Sequence, residues 1–239
     1  MTVGSFNIES FSFPGRNKPN QDAVLAKLYG KGYLALGIAD GMGGKPGGNF
    51  ASKIALQAFE TELNKNPEAS IEDIFSNVKK ALITESISFP AFGEMATTLS
   101  ICLIKKEEVS IGHVGDCRIY QLRGNGIATR TTDQTEVQRL LDDGILPKHM
   151  AKDYPRRNIL LSVMNATLEY TLQKNTFSVK PGDNIILMSD GAYSLLSKSE
   201  IRDMCVQSDT TTAFKSSMLE LIRTRPIKDD YSALICRFN

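Results

Sequence analysis

Three apolar stretches of this chain each end on an aspartate: Ala35-Leu36-Gly37-Ile38-Ala39-Asp40-Gly41, Ile111-Gly112-His113-Val114-Gly115-Asp116 and Ile185-Ile186-Leu187-Met188-Ser189-Asp190-Gly191. Runs of this length and apolarity read as buried strands, so each would deliver a carboxylate at a strand end. Unpaired carboxylates gathered out of water repel one another and resist ionisation. A shared cation relieves both costs, and hard oxygen donors suit Mg²⁺ or Mn²⁺. The glycine after Asp40 and after Asp190 lets the backbone turn sharply and offers a carbonyl as a further oxygen donor. A single Asp-Gly pair after a strand is a common turn; the repetition is what points to metal-assisted chemistry.

Two other features invite a chemical interpretation and do not meet it. The run Gly41-Met42-Gly43-Gly44-Lys45-Pro46 is glycine-rich, but position 39 is Ala and Pro46 follows Lys45, so neither the P-loop nor the dinucleotide-binding spacing is present. Of the two histidines, His113 lies inside an apolar strand run and His149 in a polar stretch. Both are expected to be structural rather than acid–base groups.

The elements that must position the aspartates follow from hydrophobic period and turn residues. Residues 23–28 and 33–39 are apolar runs separated by Tyr29-Gly30-Lys31-Gly32, a hairpin signal and the expected start of the first sheet. Residues 97–104, 108–114, 117–122 and 127–131 are consecutive strand-like runs and predict an antiparallel meander. Further strands are predicted over 169–179, 184–188 and 231–238. From Asn49 the spacing of Phe50, Ile54 and Phe59 predicts a helix. A second begins at Ser70, with Asp73 as capping-box partner and Ile71, Ile74, Phe75, Val78 and Leu82 as its apolar stripe. Helices are also predicted over 134–142, 199–207 and 212–223. Strands grouped apart from paired helices give an α+β class, with helices packed on antiparallel sheets. No repeat, low-complexity tract or linker divides the 239 residues, so one domain spanning 1–239 is expected.

A hydrophobic fraction of 41% and a charged fraction of 23% describe an ordinary globular chain with a sizeable core. With 28 Lys and Arg against 27 Asp and Glu, the balance carries no electrostatic footprint for nucleic acid or an anionic membrane. Cys102, Cys117, Cys205 and Cys236 lack CxxC spacing, and three lie in apolar strand runs, so reduced buried thiols are expected. No stretch approaches the roughly 18–20 apolar residues of a membrane span, and the N-terminus lacks the basic and apolar regions of a secretion signal. A cytoplasmic monomer without membrane or nucleic-acid partners is expected.

The order of short motifs is itself recognisable. Asn20-Gln21-Asp22-Ala23, Asp40-Gly41-Met42-Gly43-Gly44, Ala96-Thr97-Thr98-Leu99, His113-Val114-Gly115-Asp116-Cys117-Arg118, Ser189-Asp190-Gly191 and Asp229-Asp230-Tyr231-Ser232 resemble the successive signatures of the type 2C family of metal-dependent protein phosphatases. The resemblance runs from Asn20 to Ile235. It implies a central antiparallel β-sandwich flanked by helices on both faces, with a binuclear Mn²⁺ or Mg²⁺ centre at one end that activates water against phosphoserine and phosphothreonine esters. By position, Asp40 is implied to bridge both ions, with the Gly41 carbonyl and Asp22 on one and Asp190 and Asp229 on the other. Asp116 is implied to share a third, weaker ion with Asp190. Asp229 fills the aspartate of the family's Asp-Asn-x-Thr motif and Asp230 its asparagine, although by chemistry alone either carboxylate qualifies as the ligand. Arg16 is implied to hold the phosphoryl oxygens in bidentate fashion. Met42 stands where many relatives carry a histidine that protonates the leaving group, so no proton donor is assigned. Residues 142–158 are polar and occupy the family's variable flap, a region able to select partners. The implied partners are phosphorylated proteins, the products of a Ser/Thr kinase. A catalytically silent phosphoprotein-binding module on the same fold is the alternative.

Overall fold

A computed structural model describes residues 5–15, 19–29, 32–43 and 47–239. The described elements run β1 (Phe6–Phe13), β2 (Asp22–Tyr29), β3 (Tyr33–Asp40), α1 (Gly48–Lys65), α2 (Ile71–Ser88), β4 (Ala96–Thr97), β5 (Leu99–Lys105), β6 (Glu108–Val114), β7 (Arg118–Arg123), β8 (Gly126–Thr129), α3 (Glu136–Asp142), β9 (Met164–Asn165), β10 (Gln173–Ser178), β11 (Asn184–Met188), α4 (Asp190–Tyr193), α5 (Lys198–Gln207), α6 (Thr211–Arg223) and β12 (Tyr231–Phe238). They form two five-stranded antiparallel sheets, β1-β12-β11-β7-β8 and β10-β6-β5-β3-β2, and a small pairing of β4 with β9.

The period of two in β3 explains the layering. Leu34, Leu36 and Ile38 point into the sandwich, where they meet Ile119, Ile185, Leu187 and Leu234 of the other sheet. Tyr33, Ala35 and Ala39 face the opposite way, against Ala51, Ala55, Phe59, Ile74 and Phe75 of α1 and α2. Small residues on that face let the helices approach closely. On the far side Tyr120, Ile186, Met188, Ala233 and Ile235 pack against Ile201 of α5 and Phe214, Met218 and Ile222 of α6. The result is helices, sheet, sheet, helices. Each fully buried Leu, Ile or Phe contributes about 1.5–3 kcal/mol of hydrophobic stabilisation, which is ample to fix strand register and hence the strand ends.

Local signals hold where they were strongest. Ser70 caps α2 by accepting from the Asp73 N–H, and Ile71, Ile74, Phe75, Val78 and Leu82 are its buried residues. All four cysteines are buried and free. Tyr29 pairs with Tyr33 across the β2–β3 hairpin, whose residues 30 and 31 lie outside the described residues. In α1 the buried stripe is Ala51, Ala55, Leu56, Phe59 and Leu63, and Phe50 is left 42% exposed.

Three expectations are corrected. The strand β1 lies outside the expected set: it sits at a sheet edge, pairs with β12 from Phe6↔Phe238 to Phe13↔Tyr231, and buries only Phe11 fully, its other residues being half-buried or exposed. The strand predicted over 169–179 is confined to Gln173–Ser178. The expected meander is two hairpins in different sheets, since β5 pairs with β6 while β7 pairs with β11 and β8. The chain leaves the first sheet at Gly115, whose φ is +109°, a conformation that disfavours any residue with a Cβ. A Cβ there would also stand 2.5 Å from Thr98 Cγ2. Gly115→Ala is therefore expected to cost about 2 kcal/mol or more, combining strain with overpacking. Urea denaturation reads this directly, and a variant within about 0.5 kcal/mol of wild type would refute the tight crossing.

Candidate metal centre

The strand ends converge at one end of the sandwich. Asp22 opens β2 and Asp40 closes β3, and the register sets them opposite one another. Asp116 sits in the crossing between the sheets, one residue after Gly115. Asp190 begins the single helical turn that follows β11, and Asp229 precedes β12, the neighbour of β11. The backbone of Asp40 is held on both sides: its N–H donates to Thr98 Oγ1 at 3.0 Å, and its carbonyl accepts from the Thr98 N–H at 2.8 Å and Thr97 Oγ1 at 2.9 Å. The Gly41 N–H donates to the Gln21 carbonyl at 3.0 Å. A Cβ on Gly41 would lie 2.2 Å from the Gly48 carbonyl oxygen, so the start of α1 presses directly on this turn.

Burial and mutual repulsion dominate the electrostatics. The Asp40 carboxyl is held well above the usual carboxylate range, by burial first and then by the charges of Asp22, Asp190, Asp116 and Asp229. Asp116 is raised likewise, by burial and then by Asp190 and Asp133, with Arg118 opposing. Burial pushes Asp22 up to about 7, against hydrogen bonds from Ser189 and Ser232 and with the charges of Asp190 and Asp230 adding to the rise. Asp190 is pushed up to about 6, by burial and by Asp229, while a hydrogen bond with Asp40 opposes. Among the described residues no three His, Cys, Asp or Glu side chains already stand in the geometry of an ion's coordination shell. Asp40 and Asp190 instead face one another as two like charges. Asp22 Oδ2 accepts from Ser189 Oγ at 2.7 Å, whereas its buried Oδ1 has no hydrogen-bond partner among the described residues. An orphaned carboxylate oxygen beside a carboxyl pair is what a divalent ion with hard-oxygen preference would relieve, so the donor set fits such an ion.

The structure thus brings together Asp22, Asp40, Gly41, Asp116, Asp190 and Asp229. Asp230 has a different task, since its Oδ1 accepts from the Gly15 N–H at 2.7 Å and its Oδ2 from the Gln21 N–H at 2.8 Å. With both oxygens engaged by backbone, it leaves Asp229 as the candidate ligand of that pair. Arg16 and Lys45 lie outside the described residues. Arg118, a basic residue next in line for phosphate, is bound to Asp133 through Nε at 3.0 Å and Nη2 at 2.6 Å and stacks 3.8 Å over the Tyr193 ring. His113 is fully buried, with Nδ1 2.7 Å from Ser100 Oγ, and burial pushes it down to about 4, which makes it a neutral core residue. Sequence reasoning missed the supports, namely Ser189 behind Asp22, Asp133 behind Arg118, and Gln134 beside Gly115. Of the supporting groups the Thr97-Thr98 pair, Ser189 and Asp230 lay within quoted motifs, whereas Asp133 and Gln134 carried no signal.

Residues 14–226 match the family described as Protein phosphatase 2C. The protein phosphatase PhpP of Streptococcus pneumoniae is 31% identical to this chain over 208 residues, covering 84% of this chain and 83% of PhpP. The structure of the serine/threonine phosphatase Stp1 from Staphylococcus aureus superposes with a TM-score of 0.91 at 22% identity, covering 100% of this chain and 98% of that one. The PstP catalytic domain, solved in complex with two manganese ions, superposes with a TM-score of 0.81 at 22% identity, covering 97% of each chain. At such identities the superpositions establish the fold, a β-sandwich between two helical layers. The extent of the family match and the identity to PhpP go further, and the chain belongs to the protein phosphatase 2C family of metal-dependent phosphatases.

Proposed function

We propose that this protein hydrolyses phosphoserine and phosphothreonine esters of proteins at a binuclear Mn²⁺ or Mg²⁺ centre. Asp22, Asp40, the Gly41 carbonyl, Asp190 and Asp229 would hold the two ions, and Asp116 with Asp190 a weaker third. One observation carries this: the strand register sets Asp22 opposite Asp40, and Asp22, Asp116, Asp190 and Asp229 all press their charge on the half-buried Asp40. A protein selected only for stability or for phosphopeptide binding gains nothing from such repulsion, because a buried ionic cluster is readily replaced by apolar packing at no loss. The naming of PhpP as a protein phosphatase supports the substrate class.

Ions bound here supply a water of lowered pKa as nucleophile and neutralise charge on the phosphoryl oxygens. The chain's own residues do the positioning. Thr97 and Thr98 fix the Asp40 backbone, and Ser189 turns Asp22 so that Oδ1 is left for the ion. Asp230 ties Gly15 and Gln21, on either side of Arg16, to the start of β12, and Arg16 is the proposed bidentate contact to the phosphoryl group. Met42 has no proton to give, so the leaving group departs according to its own basicity. No helix among the described residues is long and apolar enough to cross a membrane. The proposed partners are phosphoproteins made by a Ser/Thr kinase, met by a cytoplasmic monomer.

Asp40→Asn is expected to lower kcat toward a phosphothreonine peptide by at least about 100-fold with Mn²⁺ present, with an unchanged circular dichroism spectrum. A wild-type rate in the folded variant would remove Asp40 from the bridging role.

The metal-free protein should report the same cluster through pH. The carboxyls of Asp22 and Asp190 rise from 3.8 to about 7 and about 6, so their contribution to stability is full below pH 3.8 and is lost as pH climbs through the folded values. In chelator above pH 7, Asp40→Asn should therefore melt higher than wild type, since it removes one of the repelling charges, and saturating Mn²⁺ should reverse the order. Melting curves from pH 5 to 8 decide the matter. A wild type that gains on the variant as pH rises in chelator would contradict the repulsive cluster.

Because no histidine follows Asp40-Gly41, p-nitrophenyl phosphate should be cleaved at least about tenfold faster than a phosphoserine peptide in single turnover. Equal rates, with chemistry shown to limit both, would reveal a general acid elsewhere.

A further inference from the structure

Residues 135–160 form an excursion that leaves and rejoins the body at one point. Thr135 bridges Leu160, the Glu136 N–H donates to the Ile159 carbonyl at 2.9 Å, and the Leu161 N–H donates to the Gln134 carbonyl at 2.8 Å. Gln134, at the foot of this excursion, also grips Gly115. Its N–H donates to the Gly115 carbonyl at 2.8 Å, and its side-chain Oε1 accepts from the Gly115 N–H at 2.9 Å. Its Nε2 donates to the Thr171 carbonyl at 2.8 Å, just before β10. The pair imitates one rung of an antiparallel ladder, with a side-chain amide supplying the half that the backbone cannot. Gly115 turns at positive φ out of its sheet, and its N–H would otherwise lose a partner that buried backbone requires. Asp116 is the next residue, and Asp133, the residue before Gln134, is fixed by the Arg118 guanidinium.

We propose that Gln134 is a positioning residue: its side-chain amide fastens the Gly115–Asp116 crossing to the foot of the 135–160 excursion and thereby sets the place of the Asp116 carboxylate. The inference rests on the assignment of Asp116 to the weaker ion. Removing an outer partner of this kind typically weakens metal affinity 10- to 100-fold. The displacement is confined to one loop, so the tight sites built on Asp22, Asp40, Asp190 and Asp229 should keep their affinity.

The test uses the full chain with Gln134→Met, which preserves side-chain length but removes both amide contacts, and Gln134→Glu, which keeps an acceptor for the Gly115 N–H and loses the donor to Thr171. Calorimetric titration with Mn²⁺ should show the weak-site Kd raised about tenfold in Q134M, with tight sites unchanged and Q134E closer to wild type. Amide exchange of residues 115–117 in chelator should speed by about tenfold in Q134M relative to the strands and much less in Q134E. Asp116→Ala is the control. If D116A abolishes the weak isotherm while Q134M leaves both it and the exchange unchanged, the positioning role is refuted. If D116A leaves the weak isotherm intact, the assignment of Asp116 is what fails. Exchange at 115–117 then judges Gln134 alone, and protection equal to wild type in Q134M overturns the proposal. Should Q134M not fold, protection in Q134E lost as fully as in a Gln134→Ala variant does the same.

Discussion

Repulsion among the buried Asp22 and Asp116 and the half-buried Asp40 and Asp190, with the exposed Asp229 adding its charge at the rim, is the interaction to which the rest of this molecule answers. Burial by itself raises the carboxyls of Asp22, Asp40, Asp116 and Asp190 and so resists their ionisation. Kept together, they add their charges to the cost of ionising one another, and the polypeptide must hold them there against their own electrostatics. The Asp22 Oδ1, which finds no hydrogen-bond partner among the described residues, and the four like charges that bear on Asp40 are the marks of that tension.

The force that opposes it comes from the sandwich. Two sheets sharing the apolar layer of Leu36, Ile38, Ile119, Ile185 and Leu234 cannot slip by one residue without turning that layer toward the helices. Register is thereby fixed, and fixed register sets Asp22 opposite Asp40 and brings the ends of β11 and β12 side by side. The carboxylates are carried on the ends of rigid elements, with local hydrogen bonds trimming their orientation. Hydrophobic energy spread over the whole domain is in this way converted into proximity at one end of it.

Close to the site, the trimming is done by groups distant in sequence. Ser189 joins Asp22 to the N–H of Ser232, so β2, β11 and β12 meet through a single hydroxyl. Asp230 reaches back more than two hundred residues to hold Gly15 and Gln21. Gln134 connects the crossing at Gly115 with the foot of a long surface excursion. The site is thus supported from both sheets, from the start of the chain and from the flap, and a disturbance in any of these has a short physical route to a carboxylate.

What the sequence determined by itself was whatever depends on local period and on residue type. The α+β class, the N-cap and stripe of α2, the bounds of β11 and β12 and the aspartates at strand ends were legible because each is a pattern within roughly a dozen residues, and because a charge that ends an apolar run has few uses. The family resemblance was legible as the order of such patterns. What only the tertiary structure decided was how those pieces pair. The run from residue 97 to 131 looks like a meander because its strands are alike in composition; that it divides between two sheets is decided at Gly115, whose neighbour across the gap is Thr98. In the strand β1 the apolar Phe6, Ile8, Phe11 and Phe13 are interrupted by Asn7, Glu9, Ser10 and Ser12 with no unbroken apolar run, and the strand is completed by the edge that β12 offers it. Asp229 and Asp230 are indistinguishable as letters, and differ because the N–H groups of Gly15 and Gln21 face one of them. Partners of this kind are set by long-range packing, and local sequence holds no record of it.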